Sequence, residues 1–102
     1  MIDLSSVEGF DWDAGNKEKN WRRHKVAWTE AEEAFLNEPM VLLPDPKHSQ
    51  IEKRIALLGR TLADRRLSII FTIRNNRIRV ISARDMSGKE RKAYDEAIKK
   101  TP

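Results

Sequence analysis

The sequence contains no cysteine, and its apolar runs are short. The absence of cysteine excludes a disulfide framework and a thiolate metal site. No apolar run approaches the roughly 20 residues that a membrane-spanning helix needs. The opening residues, MIDLSSVEGFDWD, also lack a basic segment followed by an apolar one, which argues against a secretory signal. We therefore expect a cytoplasmic protein without a membrane partner.

Several catalytic and binding signatures are missing as well. There is no phosphate-cradling GxxxxGK loop, no GxSxG nucleophile turn and no HExxH zinc motif. The RNA-recognition pattern of strand aromatics beside glycines is also absent. The two histidines, His24 and His48, lie in different segments, without carboxylates at a spacing that would define a metal site. We predict neither a metal ion nor another cofactor.

Charge is distributed unevenly along the chain, although the net charge is only +4. Acids without bases occupy residues 1–15 and 26–46, whereas residues 16–25 carry five bases and one acid. Residues 47–84 carry ten bases and two acids, a net charge of +8. Such segregation favours a polyanionic partner for the middle of the chain, although basic side chains also occur on ordinary solvated surfaces.

Capping signals predict three helices. Asp13 can cap a helix that runs to about His24. Two capping-box patterns predict the others, at residues 29–32 (TEAE) and 87–90 (SGKE). The first of these opens a helix that ends near residue 37, and the second opens the C-terminal helix.

Between the helices the apolar pattern changes to that of strands. Four stretches have this pattern, at residues 40–43, 51–60, 67–74 and 77–84. A two-residue hairpin at Asn75-Asn76 joins the last two, and successive short connections favour an antiparallel sheet. The 102 residues therefore predict a single α+β domain: two N-terminal helices, a four-stranded mainly antiparallel sheet with the helices on one face, and a C-terminal helix.

Side-chain alternation sorts the strand residues onto two faces. The apolar face should meet the helices and includes Leu67, Ile69, Phe71 and Ile73. The polar face can gather Arg54, Thr72, Arg74 and Arg84. Guanidinium groups gathered in this way suit the oxygens of a sugar–phosphate backbone. Strict alternation along the last strand places Arg79 and Arg84 on different faces, whereas a β-bulge between them would place both on the same face. The sequence does not decide between these two arrangements.

Several candidate residues also have ordinary structural explanations. Tyr94 lies near the apolar stripe of the last helix, where a core tyrosine is expected. His24 at a helix C-terminus is stabilised by the helix dipole. Glu90 is explained by its capping box, and we do not assign it as a general base. For Arg54 and Arg74, a solvated position on the sheet is as good an explanation as a phosphate site.

Taken in order, these stretches resemble the BrnT toxins of bacterial type II toxin–antitoxin systems, small ribonucleases with a RelE-like fold. FDWDAGNKEKNWRRHKVAWTEAEEAF follows the family's pattern of F-x-W-D, a Lys, an Asn, a Lys/Arg–His pair and V-x-F/W-x-x-A. The PDPKHS turn, the R-x-x-x-x-G of residues 54–59, and IRVISAR followed by E-R-x-x-Y continue it. The resemblance covers about residues 9–94. One departure is Lys25, where the family usually has a glycine.

The resemblance implies an RNA-cleaving toxin that works without a metal on a basic sheet surface. Its partners would be an RNA substrate and a cognate BrnA-like antitoxin, which inhibits the toxin and contacts operator DNA through its own DNA-binding part. The resemblance and the basic strands together suggest catalytic roles for five residues: His24, Arg54, Arg74, Arg84 and Tyr94. RNA-binding roles are expected for Lys17, Lys53, Arg60, Arg77 and Arg79.

In the expected reaction the ribose 2′-hydroxyl attacks the adjacent phosphate. The arginines stabilise the charge that develops on the phosphoryl oxygens. His24 is the side chain suited to proton transfer at neutral pH, and Tyr94 orients the phosphate or donates a proton. An alternative function is a non-catalytic domain whose basic sheet face binds RNA or DNA, or docks the antitoxin.

Overall fold

The sheet has helices packed on both of its faces. A computed structural model describes residues 4–45 and 52–100. In chain order the elements are strand β1 (Gly9–Phe10), helices α1 (Ala14–His24) and α2 (Trp28–Leu36), strands β2 (Val41–Pro44), β3 (Ile55–Arg60), β4 (Arg66–Arg74) and β5 (Arg77–Asp85), and helix α3 (Gly88–Lys99). The end of the predicted PDPKHS turn, with His48, and the predicted strand residue Ile51 lie outside the described residues.

Within the described part of the chain, the sheet has five strands, in the order β1-β5-β4-β3-β2. The predicted α+β class is confirmed, but the prediction of four strands is wrong. Strands β2 to β5 form the expected antiparallel meander, whereas β1 pairs in parallel with β5 and makes the sheet mixed. Two residues are too few to show an alternating pattern, so β1 could not be recognised from the sequence. It forms because β5 offers a free edge, where the Asp11 amide donates to the Ile78 carbonyl.

Local signals predicted several turns and helix ends correctly. The Asp13 side chain accepts a hydrogen bond from the Asn16 amide and caps α1. The predicted capping box at residues 87–90 opens α3. Asn75 and Asn76 both adopt the positive φ that their hairpin requires, at 51° and 61°.

The start of α2 differs from the prediction. Ala27 precedes the helix, and its amide donates to the Glu30 carboxylate at 3.0 Å. The expected capping box of Thr29 and Glu32 does not form, because Glu32 instead accepts a hydrogen bond from the Trp12 indole at 2.8 Å. The contact with Trp12 makes Glu32 unavailable for the capping box, and the helix begins at Trp28, one residue before the predicted cap Thr29.

Helix α1 ends at a left-handed residue, Lys25, with φ 54° and ψ 37°. The Lys25 amide donates to the Trp21 carbonyl, and the Val26 amide reaches back to the Asn20 carbonyl. Glycine adopts this conformation without steric cost, whereas other residues lose about 1–2 kcal/mol. The glycine that the resemblance leads us to expect at this position would adopt the conformation without that cost.

The inner face of the sheet packs against α2 and forms the core. Leu67, Ile69 and Phe71 of β4 point to this face and are fully buried. Phe35 of α2 packs edge-on against Phe71, with 4.9 Å between ring centroids. The predicted apolar face of β4 is therefore confirmed except at Ile73, which is 38% exposed next to the hairpin.

Helix α3 packs on the opposite face, here called the outer face. The prediction that the helices lie on one face is therefore wrong. Arg66 and Ser68 alternate with the core residues of β4, and their side chains bind Asp95 and Glu90 of α3. The apolar stripe of α3 predicted that the helix packs on a sheet, but an amphipathic pattern does not specify which face it covers.

Helix α1 closes the edge of β5 beyond the end of β1. The Asn16 side-chain amide donates to the Val80 carbonyl at 3.3 Å, and the Ala83 amide donates to the Asn20 side-chain carbonyl at 3.0 Å. Asn16 and Asn20 are one helical turn apart, and both are buried. Two side chains thus replace a strand partner and protect an otherwise open sheet edge.

We expect Asn20→Ala to lower the free energy of unfolding by about 1–3 kcal/mol, because the buried Ala83 amide loses its acceptor. Thermal unfolding measures this loss, and the Ala83 amide should exchange its hydrogen faster. Glu18→Ala, an exposed change in the same helix, is the control. Equal melting temperatures of the Asn20 variant and the wild type would contradict this role for Asn20.

Candidate functional site

A β-bulge in β5 decides which side chains share the outer face. The pairing of β4 with β5 skips Ile81, which is the extra residue of the bulge. Arg79 pairs with Thr72, and Arg84 pairs with Ser68, so both arginines lie on the outer face. The bulge thereby answers the question that alternation alone left open.

The outer face gathers arginines from three neighbouring strands. By pairing and alternation this arginine face comprises Arg54 (just before β3), Arg60, Arg66, Arg74, Arg77, Arg79 and Arg84. Helix α3 covers the end that holds Arg66, whereas Arg74 and Arg77 at the other end are exposed. The open end is therefore the part of the sheet that a phosphate backbone can approach.

Arg84 lies at the border between the covered and the open part, in a cluster with Glu90 and Ser68. Its Nη1 and Nη2 atoms donate to the two Glu90 carboxylate oxygens at 2.7 and 2.9 Å. The Ser68 hydroxyl donates to Glu90 at 3.1 Å. The Arg84 side chain is still 42% exposed. Glu90 thus orients a guanidinium group that remains accessible to a ligand.

The same cluster keeps Glu90 ionised. Hydrogen bonds from Arg84 and from the Ser87 amide lower the pKa of Glu90 to about 2, although partial burial acts in the opposite direction. A carboxylate with so low a pKa is a weak base at neutral pH. Glu90 is therefore suited to orienting Arg84 and unsuited to accepting a proton from a substrate hydroxyl.

Carboxylates also hold Arg74 and Arg79 in place. Arg74 binds both oxygens of Glu52 at 3.0–3.1 Å, and Arg79 binds Asp13 at 2.8 Å. Pairs near the surface contribute only about 0–1 kcal/mol to stability. A phosphate group can therefore replace either carboxylate at little cost, and the guanidinium groups are ordered before it arrives.

The other residues expected to bind RNA are spread more widely. Lys53 is exposed, and its carbonyl accepts from the Thr72 hydroxyl at 2.7 Å, which attaches this segment to the sheet. Arg60 lies at the end that α3 covers. Lys17 lies away from the arginine face, because its ammonium group is 4.4 Å from the ring centroid of Trp28 in α2.

His24, the last residue of α1, lies near Asp85 at the end of β5. Asp85 follows Arg84 along β5 and so points to the inner face, opposite Leu67. Arg65 lowers the pKa of Asp85, with a smaller contribution from the nearby His24. His24 follows Lys17 by seven residues, about two helical turns, so it lies on the flank of α1 that turns toward α2 and away from the arginine face.

Tyr94 is inaccessible from the open part of the arginine face. Its side chain is 0% exposed, and its hydroxyl donates to the Pro39 carbonyl at 2.6 Å. Burial raises the pKa of Tyr94. Its ring centroid lies 5.4 Å from the Arg66 guanidinium, so Tyr94 packs between α3 and the covered end of the arginine face and outside the core of the inner face.

Arg65 is a residue whose importance was not recognised in the sequence. From the β3–β4 turn it donates to Asp85 at 2.7 Å and Glu30 at 3.1 Å, and to the His24 and Lys25 carbonyls at 3.2 and 2.8 Å. These carbonyls lie at the C-terminal end of α1, where helical partners are lacking. Nothing in the local stretch ADRR distinguishes this arginine, since its partners come from distant segments.

Three of the five expected catalytic residues share the arginine face: Arg54, Arg74 and Arg84. Among the described residues, no group of three or more histidine, aspartate or glutamate side chains is placed to hold a metal ion. In the same part of the chain, no helix is both long and apolar enough to cross a membrane.

Comparison with known protein families agrees with the resemblance seen in the sequence. A family model described as the ribonuclease toxin, BrnT, of type II toxin–antitoxin systems matches residues 12–90. This range runs from just before α1 into α3 and includes every strand except β1. No curated protein sequence matches the chain. Because the family match extends over most of its length, the chain belongs to the BrnT family of ribonuclease toxins.

Proposed function

We propose that the protein cleaves RNA without a metal ion on the open part of the arginine face. The ribose 2′-hydroxyl attacks the adjacent phosphate there. Family membership implies an RNA substrate and a protein antitoxin. The observation that most directly supports this location is the bulge at Ile81, because it brings Arg79 and Arg84 onto the same face as Arg74.

Arg84 binds the reacting phosphate in this proposal. Attack by the 2′-oxygen breaks the bond from phosphorus to the 5′-oxygen and leaves a 2′,3′-cyclic phosphate and a 5′-hydroxyl. Negative charge grows on the phosphoryl oxygens during the attack, and guanidinium groups that are already in place stabilise it without reorganisation. Glu90 positions Arg84, while Arg54 and Arg74 bind neighbouring phosphates.

Proton transfer in this proposal uses water. His24 lies on the flank of α1 that turns toward α2, Tyr94 is buried, and the pKa of Glu90 is lowered to about 2. Water therefore accepts the proton of the 2′-hydroxyl and protonates the leaving 5′-oxygen. Arginine stabilisation of the phosphate supplies the acceleration, in place of the proton transfer by His24 that the sequence suggested.

A BrnA-like antitoxin inhibits the enzyme in this proposal by covering the arginine face. Acidic side chains of the antitoxin would compete for the same guanidinium groups that bind RNA. The exposed ends of Arg74 and Arg77 are the natural first contacts. Operator DNA is then contacted through the antitoxin, and the pair acts in the cytoplasm.

Incubation of the purified protein with single-stranded RNA tests this function. We expect fragments that accumulate with time, carry 2′,3′-cyclic phosphate ends and form equally fast with and without EDTA. RNA with 2′-O-methyl groups should bind but stay intact, because its nucleophile is blocked. Salt-sensitive binding without fragments would indicate a binding domain instead, and loss of cleavage in EDTA would indicate a metal-dependent reaction.

A further inference from the structure

Helix α1 carries cations that have no acidic partner among the described residues, in contrast to the arginines of the sheet, which are held by carboxylates. Within residues 4–45 and 52–100, the side chains of Lys19, Arg22 and Arg23 form no ion pair. We propose that these three residues form a second binding site for the phosphates of single-stranded RNA, continuous with the arginine face. The inference rests on the proposed function for the identity of the ligand.

The three cations line an open groove together with Gly15. Its volume is about 440 Å³. Gly15, Lys19, Arg22 and Arg23 follow one another at helical spacing, so they form a continuous strip along one flank of α1. Gly15 leaves this end of the groove without a side chain, and a Cβ there would lie 3.2 Å from an Asp13 carboxylate oxygen. Without a side chain at residue 15, the strip is accessible to an extended RNA backbone.

Helix geometry places this groove on the flank of α1 nearer to the arginine face. Asn16 and Asn20 seat the helix on the edge of β5. Lys17 marks the flank that turns toward α2, because it lies over the Trp28 ring. With 3.6 residues per turn, the groove residues lie on the other flank, on the opposite side of the two asparagines.

Asp13 connects the two surfaces. Its carboxylate binds Arg79 of the arginine face at 2.8 Å. The same carboxylate caps the first turn of α1 through the Asn16 amide at 2.9 Å. Gly15, in that first turn, begins the groove. In the proposed binding mode, an RNA strand runs from Arg79 past the first turn of α1 into the groove.

Phosphates fit this groove better than a protein segment does. Each arginine fork can bind two phosphate oxygens at once. A positively charged groove that follows the backbone is the usual site for a single strand. Stable protein interfaces instead require a buried centre with apolar and aromatic anchors, which Gly15, Lys19, Arg22 and Arg23 do not supply.

The test compares two triple variants in binding to a single-stranded 2′-O-methyl RNA oligonucleotide. The first replaces the groove cations by glutamine: Lys19→Gln, Arg22→Gln and Arg23→Gln. The control removes the same charge from exposed positions of α3: Lys89→Gln, Lys92→Gln and Lys99→Gln. Near 0.1 M salt, the groove variant should bind at least about tenfold more weakly, and the control should lose less than about threefold. The salt slope of the groove variant should fall by about 2, since each phosphate contact on a single strand contributes about 0.7.

Equal losses in the two variants would overturn the proposal, because net charge alone would then explain them. Normal RNA binding with loss of antitoxin binding would also overturn it and assign the groove to the protein partner. A third outcome separates this inference from the proposed function. If the wild type binds the oligonucleotide and the groove variant does not, the groove is an RNA site, even if the wild type fails to cleave unmodified RNA. Such a failure would contradict only the proposed cleavage. Circular dichroism checks that each variant is folded. If the triple groove variant does not fold, the single variant Arg22→Gln or Arg23→Gln is used in its place.

Discussion

Arg84→Ala should slow RNA cleavage by about 10²–10³-fold, a loss typical of removing one preorganised group that stabilises transition-state charge. Arg84 is the guanidinium group that Glu90 orients at the border of the open surface. The variant should stay folded, because the Arg84 side chain is 42% exposed and Glu90 keeps its hydrogen bonds from Ser87 and Ser68. Initial rates on labelled RNA measure the effect, and growth arrest on expression in bacteria should disappear in parallel.

Three further variants separate the role of Arg84 from simpler effects. Arg84→Lys keeps the charge but loses the two-point fork, so it should recover only part of the rate. Lys92→Ala removes an exposed cation of α3 and should cleave normally. His24→Gln should stay within about tenfold of the wild type, whereas a proton-transfer role would cost about 10²–10⁴-fold. Full cleavage by Arg84→Ala would remove this residue from the site, and a large loss in His24→Gln would return proton transfer to the histidine.

Arg65→Ala should be the most destabilising of the arginine substitutions. Its guanidinium group joins the β3–β4 turn, the end of α1, the start of α2 and the end of β5. Removal of one partner from a buried ionic network costs about 3–5 kcal/mol. Since the Arg65 side chain is 27% exposed, we expect a smaller loss of about 2–3 kcal/mol. For a chain of this size that lowers the melting temperature by about 10–20 °C.

Thermal unfolding of matched variants checks this expectation. Arg77→Ala removes an exposed arginine at the hairpin and should leave the melting temperature nearly unchanged. Arg65→Lys should not rescue stability, because an ammonium group cannot reach two carboxylates and two carbonyls in the geometry of the guanidinium fork. A melting temperature of Arg65→Ala close to that of Arg77→Ala would show that the network contributes little.

The chemistry of the candidate site was predictable from the sequence, but the set of residues that form it was not. The basic strands predicted a phosphate-binding sheet. The alternation of side chains along the strands placed Arg54 and Arg74 on one face, and both lie on the same face in the structure. The position of Arg79 depended on the bulge at Ile81, which no residue in IRVISAR marks. Likewise, His24 was chosen for its chemistry, and only the packing of α1 on the edge of β5 sets it apart from the arginines.

The sequence by itself determined the elements that depend on neighbouring residues. Asp13, the Asn75-Asn76 hairpin and the Ser87 capping box each act through contacts within a few residues, so they were readable without the fold. The tertiary structure alone decided what depends on distant segments: the edge strand β1, the face that α3 covers and the network of Arg65. The physical reason is that a local pattern specifies which side of an element is apolar, whereas its partner is chosen by the competition of all elements for the same sheet.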